Sequence, residues 1–173
     1  MYNTNHNQQG ENMGFFDKFS KKKAQEEANN RVDIYYNASC DLVNDSVSKL
    51  LKGENPNTDC LIFEVFSYSM FIVAYHEPSF MELVANYYSD KIIEMFDKIG
   101  NKNASSVYIF YTMNMNDANF IFYQRVRYVL QKGVCPDGKW KNFNELPSNT
   151  VFDSYAKTIE EVLTEAINRA YEE

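Results

Sequence analysis

The fold is decided by residues 59–76, which read DCLIFEVFSYSMFIVAYH. The run is too long for an ordinary strand, and although its Val, Ile and Phe would suit one, its length favours a helix. That helix would be apolar nearly all round, as the buried centre of a domain normally is. The richest apolar stretch within the run, 60–75, is interrupted by Glu64 and is too short to span a bilayer. It therefore predicts a central buried helix near 59–76.

Helical patterns continue upstream of this stretch. Asn30 can cap an amphipathic helix that runs to about Lys52, with Gly53 just past its end. Residues 54–59 contain an Asn-Pro-Asn sequence and predict a turn that leads into the central helix.

Two further helices are predicted downstream. Ser79 and Glu82 have the spacing of a capping box, which predicts a helix that ends at Gly100. Thr150 with Asp153 opens the clearest helix of the chain, because apolar side chains then recur on one face with charges opposite.

The pattern between these helices is less regular. Residues 104–132 keep helical spacing, but weak helix formers at 113–117 predict a break, and 107–113 would alternatively suit a short strand. Gly133 closes the segment. A long irregular connection, 133–149, follows, and loops of this length in compact domains are uncommon and often functional.

Together these segments predict an all-α fold, a single-domain bundle of five to six helices in an orthogonal or up-down arrangement over residues 30–173. Residues 1–13 are polar and rich in Asn and Gln, which predicts a disordered tail. Residues 14–29 predict a short basic amphipathic segment, in which phenylalanines lie beside a run of lysines.

Charge and cysteine content argue against several classes of protein. A net charge of −7 argues against a nucleic-acid partner, because phosphate contacts need a surplus of Lys and Arg. Three widely spaced cysteines and two histidines form neither a zinc pattern nor a disulfide framework. These features favour a cytoplasmic protein. The many Asn, Lys, Tyr, Ile and Phe residues are typical of an AT-rich bacterial or phage genome.

Motifs for catalysis or cofactor binding are missing from the sequence. Glycine-rich phosphate-binding motifs and the Glu-x-x-His pairs of di-iron bundles are absent. Asp90, Glu94 and Asp97 share a helix face and could hold Mg²⁺, but with Lys91 and Lys98 nearby a solvated face is the better interpretation. We expect neither a metal nor a cofactor.

Glu64 is the most informative single residue, because an unpaired carboxylate inside an apolar helix is costly. Arg125 and Arg127 also lie in an apolar surround and are its natural partners. A structural ion pair is the favoured interpretation. A solvent-facing Glu64 and a ligand-binding or catalytic carboxylate are the alternatives.

The loop 133–149 contains the only tryptophan. Lys139, Trp140, Lys141 and Phe143 form a candidate partner-binding loop, because exposed tryptophan is enriched at binding hot spots. Trp140 could equally pin the loop onto the core.

The basic segment near the N-terminus raises the question of a membrane surface. A short basic amphipathic helix can lie on one. However, Phe15, Phe16 and Phe19 are its only bulky residues, and Glu26 and Glu27 follow them. Docking of this segment onto the domain is favoured over membrane contact.

The leading functional hypothesis is a non-enzymatic cytoplasmic interaction or regulatory protein, such as an inhibitor or an immunity-type partner. A protein partner is expected, and a homodimer is left open. The alternative is a small-molecule-binding helical domain or an enzyme with a pocket near Glu64 and Arg125. The interaction hypothesis predicts an exposed apolar patch, and the alternative predicts an enclosed cavity with converging polar groups.

Overall fold

The computed structural model describes the backbone of residues 8–50 and 57–172, and the side chains within these ranges except at 8–17, 19, 50, 143 and 172. The described residues form six α-helices and no strand, so the predicted all-α fold is confirmed. The helices are α1 (Gln8–Leu50), α2 (Thr58–His76), α3 (Pro78–Ile99), α4 (Val107–Met113), α5 (Ala118–Lys132) and α6 (Thr150–Glu172). Short 3₁₀ segments lie at Lys102–Ser106, Met115–Asp117 and Phe143–Glu145.

α2 lies at the centre of the bundle. Every residue from Cys60 to Val73 is buried, and α2 packs against each of the other five α-helices. Among the described residues it is the one helix with the length and composition of a membrane span. The other helices cover it as they cover the core helix of a soluble protein, which confirms the central helix predicted near 59–76.

α1 begins at Gln8, well before Asn30, where the sequence placed the start of the first helix. One continuous helix therefore covers the described part of the predicted 1–13 tail and all of the predicted 14–29 segment. This finding corrects the predicted helix start at Asn30, whereas the division of the chain into a tail, a basic segment and a domain stays a prediction. Residues 1–7 of the predicted tail lie outside the described residues.

Local features of the sequence are compatible with the early start of α1. The sequence contains no proline before Pro56, so nothing removes a backbone donor within the helix. Lysines at 22 and 23 pair with glutamates four residues on, each at 3.8 Å, which stabilises a helix by a few tenths of a kcal/mol per pair. Further along, Ala28 and Val32 are buried in the core.

The start of α3 also differs from the expected one. Ser79 and Glu82 form no capping box, because Pro78 occupies the first turn and Glu77 precedes it without a side-chain hydrogen bond to the helix. Proline is favoured there, since its missing N–H would have no partner in the first turn anyway. The helix ends as predicted at Gly100, whose φ of 70° suits glycine.

α6 starts at Thr150, as predicted, but another residue caps it. The Asn149 side chain accepts hydrogen bonds from the backbone N–H groups two and three residues on, at 3.1 and 3.2 Å. Asp153, which the sequence grouped with Thr150 at the helix start, instead pairs with an arginine of α5.

The irregular stretch 104–132 divides into two helices. Residues 107–113 are helical rather than a strand, and the chain breaks at Asn114, inside the 113–117 patch. The Asn114 side chain donates to the Phe110 carbonyl oxygen at 2.8 Å, a local bond that competes with helix continuation. The break allows α4 and α5 to pack separately on α2.

Candidate functional site

Glu64 and Arg125 form an ion pair in the centre of the bundle. Glu64 comes from α2 and Arg125 from α5, and neither side chain has exposed surface. The Arg125 Nε atom donates to Glu64 Oε2 and the Nη2 atom to Oε1, both at 2.8 Å. Two parallel charge-assisted bonds of this kind are the strongest arrangement available to an arginine and a carboxylate.

The same guanidinium also holds the loop 133–149. Its Nη2 atom donates to the carbonyl oxygen of Pro136 at 3.1 Å, and its Nη1 atom donates to those of Asp137 at 2.6 Å and Trp140 at 3.4 Å. A guanidinium has five N–H donors, so each donor of Arg125 has an acceptor. Arg125 therefore neutralises Glu64 with one edge and fastens the loop with the other.

The Glu64 carboxylate receives two further bonds. The Tyr111 hydroxyl lies 3.4 Å from Oε2 and the Cys135 thiol lies 3.6 Å from Oε1. Burial and the negative charge of Glu64 raise the pKa of the Tyr111 hydroxyl well above its usual value. A hydrogen bond with Cys60, burial and the same charge raise the pKa of the Cys135 thiol. Both groups therefore stay protonated and neutral beside the ion pair.

Arg127, the second arginine proposed as a partner for Glu64, points elsewhere. It is almost fully buried and pairs through Nε with Asp153 of α6. Its Nη1 atom donates to Gln124 Oε1 at 2.8 Å, and its Nη2 atom donates to the Pro147 carbonyl oxygen at 3.3 Å. Arg127 thus joins the far end of the loop and the first turn of α6 to α5.

The loop also docks closely on the segment before α4. The backbone N–H of Gly138 donates to the Asn103 carbonyl oxygen at 2.9 Å. A Cβ atom on Gly138 would lie 2.2 Å from the Ser106 hydroxyl oxygen, so this approach requires glycine. Asn101 adds a hydrogen bond to the Cys135 carbonyl oxygen at 3.0 Å.

Trp140 lies half-buried against α5. Its ring is 4.5 Å from that of Tyr128, centroid to centroid, with the planes tilted by 54°. Lys139 and Lys141 on either side are exposed, and the side chain of Phe143 lies outside the described side chains. The packing of Trp140 on Tyr128 helps to hold the loop on the domain.

An open apolar groove lies between α3 and α4. This α3–α4 groove has a volume of about 530 Å³, and Phe71 of α2 is among its lining residues. Tyr75 and Met115 line it while remaining 62% and 53% exposed. The remaining lining residues are Ala74, Pro78, Met81, Glu82, Ala85, Tyr108 and Thr112.

The α3–α4 groove was not predicted from the sequence, because its residues come from separate helices. No local pattern marked it, because Met115 has the helical spacing of the apolar positions in 104–132 and Tyr75 belongs to the run predicted to be buried. Exposed apolar side chains continue along α4, where Ile109 is 59% and Met113 77% exposed.

A second, smaller cleft separates α1 from α6. It has a volume of about 280 Å³ and a nearly wholly apolar lining. Its rim includes Ile34, which is 62% exposed, and Val162, which is 44% exposed. Tyr35 and Tyr171 also line it. Neither Glu64 nor Arg125 lines this cleft or the α3–α4 groove.

Neither a metal centre nor a known relative identifies a function. Among the described residues, no group of three His, Cys, Asp or Glu side chains is placed to hold a metal ion. No protein-family model matches the chain, and searches of curated proteins and of solved structures find no significant match. The function has to be inferred from the residues of this chain.

Proposed function

We propose that the chain is a non-enzymatic protein–protein interaction protein that binds its partner in the α3–α4 groove. The observation that supports this proposal is the exposure of Tyr75 and Met115 on the edges of an open apolar groove. Large apolar side chains that stay exposed together often mark interaction sites. Met81, Met113 and Met115 add flexible, polarisable side chains, which adapt well to a partner surface.

The geometry around Glu64 gives less support to the alternative, a ligand pocket or an enzyme centred on this residue. A binding or catalytic carboxylate needs an oxygen that a ligand can reach. Each oxygen of Glu64 already accepts one hydrogen bond from Arg125 and a second from Tyr111 or Cys135. The side chain has no exposed surface. A structural role in fastening the loop accounts for all of these contacts.

The charge of the protein indicates the chemistry of the partner. The chain has a net charge of −7, and Glu82 lines the groove. Complementary charge steers partners and suppresses wrong ones. The partner we propose is a protein segment that offers apolar side chains to the groove and basic side chains to its rim. A helix laid into an apolar groove is a common form of such binding.

The proposed setting is the cytoplasm of a bacterium or its phage, with a regulatory role such as inhibition of the partner. Cys40, Cys60 and Cys135 are unpaired thiols, as is usual in a reducing compartment. The composition of the chain supports the proposed origin.

Site-specific photo-crosslinking in host cells tests this proposal. A photoreactive amino acid is placed at Tyr75 or at Met115, and Ile93 of α3 serves as the matched control. Ile93 is 60% exposed but does not line the groove. We expect one discrete adduct from the two groove positions and none from position 93.

A charged substitution completes the test. Met115→Glu should abolish the adduct formed from position 75, because a carboxylate in an apolar interface is costly. Its thermal unfolding should match that of the unmodified chain, since Met115 is half exposed. Equal adducts from all three positions, or an adduct that survives Met115→Glu, would overturn the proposal.

A further inference from the structure

We propose that the segment bound in the α3–α4 groove is residues 15–23 of a second copy of this chain. This inference rests on the proposed function, because it names the partner of the same groove. It requires three things of the chain: a segment with the right chemistry, a position from which that segment can reach a second molecule, and a groove that matches it.

The segment has the apolar and basic character that the groove calls for. Residues 15–23 read FFDKFSKKK and contain three phenylalanines, four lysines and one aspartate. The local net charge is four minus one, or +3, in a chain whose total is −7. In a helix, nine residues span about 13 Å.

The described side chains of the segment are not buried by the domain. It belongs to α1, which runs without a break from Gln8 to Leu50. The described side chains of residues 18 and 20–24 are all exposed, and the first buried side chain described in α1 is that of Ala28. Ala24 lines a depression together with Ser79 and Phe80 of α3, so contact with the domain begins there. We call the preceding part of α1, residues 8–23, the extension; in a helix it spans roughly 24 Å. Because α1 is continuous, the extension is not folded back into the groove of its own chain.

Contacts at the base of the extension place it at the same end of the bundle as the groove. Arg31 of α1 donates to both oxygens of Glu77, at 2.7 and 3.1 Å, and its guanidinium lies 4.3 Å from the ring centre of Phe80. Gln25 donates to the Leu83 carbonyl oxygen at 2.9 Å. These contacts lie at the first turns of α3.

The lining of the groove begins at the same turns, with Pro78, Met81 and Glu82. Two copies related by a two-fold axis at this end would each lay the extension along the groove of the other. Such a pair uses the same surface twice and is closed, as in most soluble homodimers.

The surroundings of the groove match the segment in charge. Beyond Tyr75 and Met115, a shallow depression lined by Thr164 and Asn168 continues from the groove onto α6. The next depression along α6 is lined by Glu160, Glu161 and Glu165. Glu161 pairs with Lys157 and Glu165 with Arg169 on the exposed surface, whereas Glu160 forms no ion pair with another of the described residues. Phenylalanines of the bound segment would occupy the apolar groove, and its lysines would face Glu82 and the glutamates of α6. An anionic membrane fits less well as the partner of this segment, since these carboxylates would lie close to the negatively charged membrane surface.

Charge reversal tests the pairing. Sedimentation of the full chain should show a dimer. Its dissociation constant should fall in low salt and rise in high salt. Lys21→Glu/Lys22→Glu/Lys23→Glu, and separately Glu82→Lys/Glu161→Lys/Glu165→Lys, should each raise the dimer Kd at least about tenfold. An equimolar mixture of the two variants should restore a dimer, because in the mixed pair the reversed segment meets the reversed groove and the unmodified segment meets the unmodified groove. Both variants change only exposed residues, and circular dichroism checks that the proteins remain folded.

Isotope-mixed crosslinking tests the location. A photoreactive residue at Phe16, in a mixture of ¹⁴N- and ¹⁵N-labelled chains, should give mixed-isotope adducts with peptides that cover 75–85 or 108–115. A chain that stays monomeric at high concentration, adducts within single chains only, or a charge-reversed mixture that does not pair would overturn the inference. So would binding to phosphatidylserine-containing vesicles without self-association. If the chain is monomeric but positions 75 and 115 still crosslink another protein, self-association fails while the proposed function stands.

Discussion

The Arg125 guanidinium meets the Glu64 carboxylate through two parallel 2.8 Å hydrogen bonds and binds three carbonyl oxygens of the loop 133–149 with its remaining donors. One side chain thus couples the central helix to the longest connection of the domain. Its removal should affect both parts, and the chain offers ways to separate the two effects.

Arg125→Met should lower the free energy of unfolding by about 3–5 kcal/mol, because it leaves a buried carboxylate unpaired. Urea denaturation followed by circular dichroism measures the loss. Arg169→Met is the matched control: Arg169 forms an ion pair with Glu165, but on the surface, where both side chains are more than half exposed. The control should change stability by less than about 1 kcal/mol. A similar small loss in Arg125→Met would show that the buried pair is not a structural anchor.

The double substitution Glu64→Leu/Arg125→Met separates the core from the loop. With both charges gone, the core should regain much of the stability lost in Arg125→Met. The loop should not recover, because its carbonyl oxygens still lack the arginine. Trp140 is the only tryptophan, so its fluorescence reports on the loop alone. We expect a red-shifted emission and faster amide exchange over 133–149 in the double variant; an unchanged emission would contradict the role of Arg125 in the loop.

Gly138→Ala should destabilise the domain by roughly 1–3 kcal/mol, because the added methyl overlaps its neighbours. The Cβ atom would lie 2.2 Å from the Ser106 hydroxyl oxygen and 2.9 Å from the Asn103 carbonyl oxygen. Gly100→Asn is the comparison, since nothing lies within 4 Å of a Cβ there and asparagine tolerates the left-handed conformation. In thermal unfolding, the midpoint temperature of Gly138→Ala should be clearly lower than that of Gly100→Asn. The reverse order would refute the close docking of the loop.

The three thiols should differ in reactivity. Cys40 is half-buried, whereas Cys60 and Cys135 are buried. A hydrogen bond with Cys60, burial and the charge of Glu64 raise the pKa of the Cys135 thiol, which keeps it in the unreactive protonated form. A disulfide reagent at mildly alkaline pH should therefore modify Cys40 quickly, and Cys60 and Cys135 only as the protein unfolds. Cys40→Ser should remove the fast phase; a fast phase that persists would locate the accessible thiol elsewhere.

The pair of Glu77 and Arg31 should make the domain sensitive to acid. The hydrogen bonds from Arg31 lower the pKa of the Glu77 carboxyl. Since its unfolded value is about 4.3, the pair contributes stability above that pH and loses it as the pH falls through the folded value. Glu77→Gln lacks this contribution. Its free energy of unfolding should start lower at neutral pH and fall less steeply between about pH 6 and 3. Parallel curves for the two proteins would contradict the assignment.

The positions of helices could be predicted from the sequence where a local pattern of residues determines them. The apolar run around Glu64 identified the central helix, because a helix without a polar face has to be covered on all sides. Weak helix formers marked the break at Asn114. That Glu64 needs a cationic partner also followed from the cost of burying a charge. The sequence did not show which arginine is the partner. Residues two apart on a helix point in different directions, so only one of Arg125 and Arg127 can face Glu64, and which one does depends on how α5 packs.

Features that depend on distant residues were not readable in this way. One local pattern was also wrong: Ser79 and Glu82 have the spacing of a capping box, but the helix begins at Pro78 with Glu77 as its N-cap, so Ser79 already lies inside the first turn. Asp153 was grouped with the start of α6, and its role in holding Arg127 appears only once α5 and α6 are packed together. The α3–α4 groove arises between helices, so the sequence could not reveal it.

The burial of α2 on every side has a consequence for synthesis. During translation, α2 leaves the ribosome before any of α3 to α6 exists to cover it. Until residue 150 and beyond have emerged, the surface that α6 will cover stays open to chaperones and to the membrane insertion machinery, which recognises apolar helices of this length. A chain halted before α6 should therefore be captured or degraded rather than accumulate.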